Sequence, residues 1–124
     1  MQSINRLLIN LCTDNLEESK NFYCQLFDFQ PAFESDWFIQ LVSAEKNLEL
    51  GIIQKDHELV PEDFRYSPQG IYLTMVLGDV EKTFSLAKEK GLNIIQEPAD
   101  TFYGQRRMLL RAPEGTLIDV SSLI

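Results

Sequence analysis

Residues 9–29, INLCTDNLEESKNFYCQLFDF, decide the fold, because an extended apolar run passes within a few residues into a helix with one apolar stripe. The run begins earlier, at residues 4–12 (INRLLINLC), and reads as a strand. Asp14 stands three residues before Glu17, an N-cap followed by an acid at the third helical position, which opens a helix. Leu16, Ser19, Phe22, Tyr23 and Leu26 then recur at three-to-four spacing and form the stripe, while Glu17, Glu18, Lys20 and Asn21 face water. The helix is expected to end near Phe27.

Working outward, three short extended segments follow around residues 29–33, 37–42 and 48–53, separated by the turn-forming clusters 34–36 and 44–47. Residues 1–53 therefore read as βαβββ. Residues 54–69, QKDHELVPEDFRYSPQ, hold two prolines and many charges with little periodicity, as a linker does. The order then repeats over 70–124. A strand spans 71–77, Asp79 caps a helix carrying Val80, Thr83, Leu86 and Ala87, and Gly91 stops it. Strands follow near 92–96, 106–111 and 116–121, the last two joined by Ala112-Pro113-Glu114-Gly115, whose proline and glycine suit a type I turn.

Sliding the chain over itself by 64 residues places Leu8 on Tyr72, Asn10 on Thr74, Asn15 on Asp79 and Ser19 on Thr83. The fold class is thus α+β, with two βαβββ repeats in one domain of 124 residues, their open sheet faces forming a half-open cleft. Alternation sorts the side chains. With Leu7, Ile9 and Leu11 under the first helix, Leu8, Asn10 and Cys12 point to the cleft. With Leu73, Met75 and Leu77 under the second, Tyr72, Thr74 and Val76 do so. Glu49 and Asp119, each bracketed by apolar residues, also face it. Trp37 alternates with Ile39 and Leu41 and reads as core, whereas Phe38 shares its face with Gln40.

A net charge of −8 argues against a nucleic-acid partner, which would need a basic stripe. Apolar runs of a few residues fall far short of the roughly 20 that a membrane span needs. With no leader-like N-terminus, a cytoplasmic location is expected, and Cys12 and Cys24 read as free thiols.

The segments INLCTDNLEESKNFYCQLFDF, LELGII, YLTMVLGDVEK and APEGTLIDVSS, in that order over two similar halves, resemble the vicinal oxygen chelate superfamily of glyoxalases, bleomycin-resistance proteins and extradiol dioxygenases. In its metalloenzymes the resemblance implies one ligand from the first strand and one acid from the last strand of each half. By position these are Leu8, Glu49, Tyr72 and Asp119: the acids remain and the histidines do not. Composition agrees, since a two-histidine, one-carboxylate site needs two imidazoles and the chain has a single histidine, His57, which reads as a solvated linker residue. No metal and no cofactor are expected.

Two readings stand for Glu49 and Asp119. As neighbours in a partly apolar pocket they would have at least one raised pKa and suit a cation; alternatively, Arg107 or Arg111 neutralises them. Leu8, Asn10, Phe38, Gln40, Glu49, Tyr72, Thr74, Tyr103, Gln105, Arg107 and Asp119 are the expected ligand-contacting residues. TFYGQRR, residues 101–107, resembles the GQR segment before the seventh strand of metal-free relatives, and Gln105 with Arg106 or Arg107 is expected here to close over a ligand or to salt-bridge a partner chain. The functional expectation is a metal-independent, homodimeric small-molecule-binding protein that sequesters a cationic or aromatic compound. The competing expectation is an enzyme, a lyase, isomerase or dioxygenase-like protein, with Glu49 or Asp119 as general base and Tyr72 as acid, with or without a loosely held divalent ion.

Overall fold

The computed structural model describes residues 1–124, which divide into two compact units, Met1–Ser67 and Pro68–Ile124. The first carries β1 (Ile9–Thr13), α1 (Leu16–Phe27), β2 (Gln30–Glu34), β3 (Phe38–Val42) and β4 (Glu49–Gln54). The second carries β5 (Tyr72–Val76), α2 (Val80–Glu89), β6 (Asn93–Asp100), β7 (Gln105–Arg111) and β8 (Leu117–Leu123). The sheets are ordered β1-β4-β3-β2 and β5-β8-β7-β6, and in each the first and last strands pair in parallel while the others are antiparallel. This is the α+β fold of two βαβββ repeats expected from the sequence.

Both helices start on a side-chain cap, but the first cap is one residue later than expected. Asn15, in extended backbone, accepts a hydrogen bond from the Glu18 N–H at 3.0 Å; Asp14 does not cap. Thr13 takes the neighbouring position, because its Oγ1 accepts from the Asn15 N–H at 3.1 Å and shares a buried hydrogen bond of 2.9 Å with Ser19 Oγ. Asp79 caps α2 in the same way, accepting from the Glu81 N–H at 2.9 Å. The 64-residue superposition had placed Asn15 on Asp79, so the repeat located the cap better than the spacing of acids did. Gly91, at φ +66, ends α2 where a side chain would be strained.

Each core lies between the helix and one face of its sheet. Phe22, Tyr23 and Leu26 of α1 are buried, as are Leu11, Ile39, Leu41, Leu50 and Ile52 of the sheet, with Leu41 opposite Leu50 and Ile39 opposite Ile52. In the second unit Val80 and Ala87 of α2 are buried, as are Met108, Leu110, Ile118 and Val120. Each such large side chain contributes about 2 kcal/mol on leaving water. Residues 54–67 are tied to the first unit, with the Lys55 N–H donating to Thr13 O at 3.1 Å and Cys12 Sγ to Phe64 O at 3.7 Å, and within the segment Arg65 Nε donates to Val60 O at 2.8 Å around a short 3-10 turn at Glu62–Phe64. The β7–β8 turn closes as expected, the Gly115 N–H donating to Ala112 O at 2.9 Å.

Two edge strands depart from simple alternation. β2 shifts register between Pro31 and Phe33, so that Phe33 opposes Gln40 and not Ile39. β6 runs on to Asp100, past the expected end at Gln96, through two register shifts. Both strands carry a proline, which an edge tolerates because one side of the ladder is unpaired.

Candidate functional site

The face of each sheet away from its helix holds most of the expected site residues. Burial of Leu11, Ile39, Leu41, Leu50 and Ile52 on one side puts Asn10, Phe38, Gln40, Glu49 and Gly51 on the other, with Leu8 just before β1. In the second unit the buried Met108, Leu110, Ile118 and Val120 leave Tyr72, Thr74, Gln105, Arg107, Leu109 and Asp119 on the open face.

On the first sheet the open face carries the rings of Phe33 and Phe38, and ring contacts continue from Phe38 to Trp37 and His57, which lie outside the strands. Phe33 and Phe38 have centroids 6.5 Å apart, Phe38 and Trp37 5.7 Å, and Trp37 stacks on His57 at 4.0 Å with only 10° between the planes. Trp37 is therefore half-buried against His57 and not in the core, because it precedes β3 and leaves the alternation that starts at Phe38. His57 is likewise half-buried and not a freely solvated residue: its Nδ1 accepts from the Leu59 N–H at 3.1 Å. Phe33, 53% exposed, was missed by sequence reading. The bulge in β2 re-aims it, and the only advance signal was Pro31 inside an edge strand.

Gly51 makes room for this surface. A Cβ at that position would run into the Asn10 amide and come within 2.8 Å of Phe38 Cε1. Asn10 and Phe38 therefore lie over the Gly51 backbone, setting an exposed carboxamide beside an aromatic ring.

Glu49 is not the raised-pKa acid that one reading expected. Arg6 holds it bidentately, Nε to Oε2 at 2.6 Å and Nη2 to Oε1 at 2.5 Å, and Gln40 Nε2 donates to Oε1 at 2.7 Å. The hydrogen bonds from Arg6 and then Gln40 hold its carboxyl below the usual carboxylate range, so it is charged at neutral pH and a poor proton acceptor. The arginine is neither Arg107 nor Arg111, the two anticipated.

Asp119 is paired within the second unit. Arg107 Nε lies 3.2 Å from Oδ1, Ser121 Oγ donates to Oδ1 at 2.7 Å, and Thr74 Oγ1 donates to Oδ2 at 3.3 Å. With Asp119 only 6% exposed, this is the internal salt-bridge arrangement. The two acids are also not at equivalent places: Asp119 pairs in register with Thr74, whereas Asn10, the counterpart of Thr74, pairs with Gly51. Tyr72 pairs with Leu117, two residues from Asp119.

Other expected contacts lie elsewhere. Arg106 binds Glu81 at 2.6 Å and Asp100 at 3.1 Å within its own unit, in exposed ion pairs. Tyr103 and Phe102 are exposed at the β6–β7 turn, with rings 5.2 Å apart, and Gln105 begins β7 with its backbone tied to Thr101. Cys12 and Cys24 are free, and burial pushes both thiols up, away from reactive thiolates.

The model of the Glyoxalase/Bleomycin resistance protein/Dioxygenase superfamily matches residues 3–120. The chain belongs to that superfamily. Among solved structures of the superfamily, an enzyme from Burkholderia phytofirmans PsJN is similar at TM-score 0.81 and 22% identity, over 94% of this chain and 97% of that one. A member from Sphaerobacter thermophilus DSM 20745 is similar at TM-score 0.75 and 17% identity, over 93% and 94%. TnmS3, an antibiotic binding protein from Streptomyces sp. CB03234, is similar at TM-score 0.76 and 18% identity over the whole of both chains. No curated protein matches the chain. These likenesses establish the fold.

The metal that superfamily enzymes imply does not fit the donors present in this member. Leu8 and Tyr72 bring no imidazole, and no three His, Cys, Asp or Glu side chains come together. The acceptor oxygens of Glu49 and Asp119 are already engaged by arginine and neutral donors. No helix is long and apolar enough to cross a membrane.

Proposed function

We propose that the chain is a metal-independent small-molecule-binding protein whose ligand is a flat aromatic compound lying on the open face of the β1–β4 sheet. The observation that carries this reading is the run of rings from Phe33 through Phe38 and Trp37 to His57, with the Asn10 carboxamide beside it over Gly51. Rings of this kind attract flat partners through area burial and through stacking worth about 1 kcal/mol per pair. The amide supplies one acceptor and two donors to orient the ligand's edge. Internal pairing of both carboxylates favours an aromatic ligand over one chosen by charge alone. The antibiotic-binding role of TnmS3, a protein of the same fold, supports a binding rather than a metal-dependent role. The homodimer and the cytoplasmic location expected from the sequence belong to this proposal.

The test is a thermal-shift series on chelator-treated protein with quinoline, indole and acridine, and with Mn²⁺, Ni²⁺ and Zn²⁺. A melting temperature raised by the heteroaromatics and not by the ions is the expected outcome. A transition metal retained near one per chain in untreated protein, with its addition restoring stability, would overturn the reading.

A further inference from the structure

The Arg6–Glu49 pair has an unequal build. Glu49 is 15% exposed at its side chain and Arg6 is 58% exposed. Arg6 lies in residues 1–8, which precede β1 and form no regular structure, and its neighbours Ile4 and Leu7 are exposed, so they do not anchor the segment in the core. Gln40, by contrast, stands in the middle of β3 and donates to Glu49 Oε1 at 2.7 Å from within the sheet. The carboxylate half of the pair is therefore built on the sheet, and the guanidinium half comes from an exposed segment without regular structure. Gln40 opposes Phe33 on one side and Gly51 on the other, so the carboxylate adjoins the aromatic face.

We propose that Glu49 and Gln40 form a receptor for the planar amidinium or guanidinium end of an aromatic ligand, with Arg6 as its tethered occupant, displaced when such a ligand arrives. A planar fork of N–H donors matches a carboxylate through two parallel hydrogen bonds, which is the geometry Arg6 already displays. An amidinium makes the same two bonds. The net charge of −8 draws cations toward the surface. This deepens the function proposed above and rests on it for the seat of the ligand's ring beside Phe33 and Phe38.

The inference is tested by calorimetric titration of wild type, Arg6→Ala and the double variant Arg6→Ala/Glu49→Gln with benzamidine, its neutral isostere benzamide, and methylguanidine. Arg6 is exposed and Gln replaces Glu49 without changing its shape, so the variants should keep the fold. A tethered competitor acts at an effective concentration on the order of millimolar, so its removal should tighten benzamidine binding about tenfold. Benzamide should gain nothing, and the double variant should lose the gain. Benzamidine affinity unchanged in Arg6→Ala, or an equal gain for benzamide, would overturn the inference. If Arg6→Ala strengthens benzamidine and methylguanidine alike, to the same affinity, the cation receptor stands and the aromatic seat fails.

Discussion

Across the middle of the first sheet's open face the row of paired residues runs Asn10, Gly51, Gln40 and Phe33; across the second it runs Thr74, Asp119, Leu109 and Gln96. The backbones follow the same strand order, and the rows differ in what fills them. In the second unit the central position is a buried carboxylate that accepts from Ser121 and Thr74 and lies 3.2 Å from Arg107 Nε, an ion-pair contact in which that buried nitrogen makes no hydrogen bond. In the first it is a glycine, with an exposed amide and an aromatic ring above it and the carboxylate moved two residues along the strand. Duplication of a fold thus permits one face to centre on an internal polar cluster and the other to present an exposed amide and aromatic rings.

The largest expected effect comes from breaking the sealed row. Asp119→Ala leaves Arg107, Ser121 and Thr74 without their shared acceptor and should lower the unfolding free energy by about 3 kcal/mol, read by urea denaturation. A cost below about 1 kcal/mol would mean that the network is not structural. Gly51→Ala should behave in the opposite way. The atoms nearest its Cβ belong to the Asn10 and Phe38 side chains, so the substitution should displace them, with a stability change of less than about 1 kcal/mol expected while heteroaromatic binding in the thermal-shift series is lost.

The smallest effect concerns Arg6 and acid. The folded-state pKa of Glu49 is depressed below its ordinary 4.5, so the pair stabilises the fold fully above that pH and loses its contribution as pH falls through the lower folded value. The melting temperature of wild type should therefore exceed that of Arg6→Ala slightly at neutral pH, and the two should converge on acidification. A difference that grows as pH falls would contradict the pairing.

Much of this was legible in the sequence because it is local or periodic. The stripe Ser19, Phe22, Tyr23 and Leu26, the Gly91 stop, the turn at Gly115 and the inward and outward faces of β5 and β7 all follow from spacing within one element, as does that of β1 from Ile9 on, whereas Leu7, expected under the first helix, precedes the strand and is exposed. What escaped reading depends on register or on partners far along the chain. The bulge that turns Phe33 outward depends on how β2 meets β3, and a period of two cannot see it. Arg6 reaches Glu49 across 43 positions, and Trp37 finds His57 in a stretch that lacked periodicity. Aligning Glu49 with Asp119 failed because both sit between apolar residues, and only the strand pairing separates them by two residues. The choice of Asp14 over Asn15 as helix cap rested on charge spacing, whereas the buried Thr13–Ser19 hydrogen bond fixes where the strand ends.

The central claim is that the open face of the first sheet takes a flat organic ligand without a metal. Amide chemical-shift mapping of the isotope-labelled protein in excess chelator, titrated with quinoline, tests it most directly. The account predicts saturable shifts at Asn10, Phe33, Phe38 and Gly51, together with a change in the indole signal of Trp37. Saturable shifts that leave these residues unmoved, or shifts that arise only after a divalent ion is added back, would contradict it.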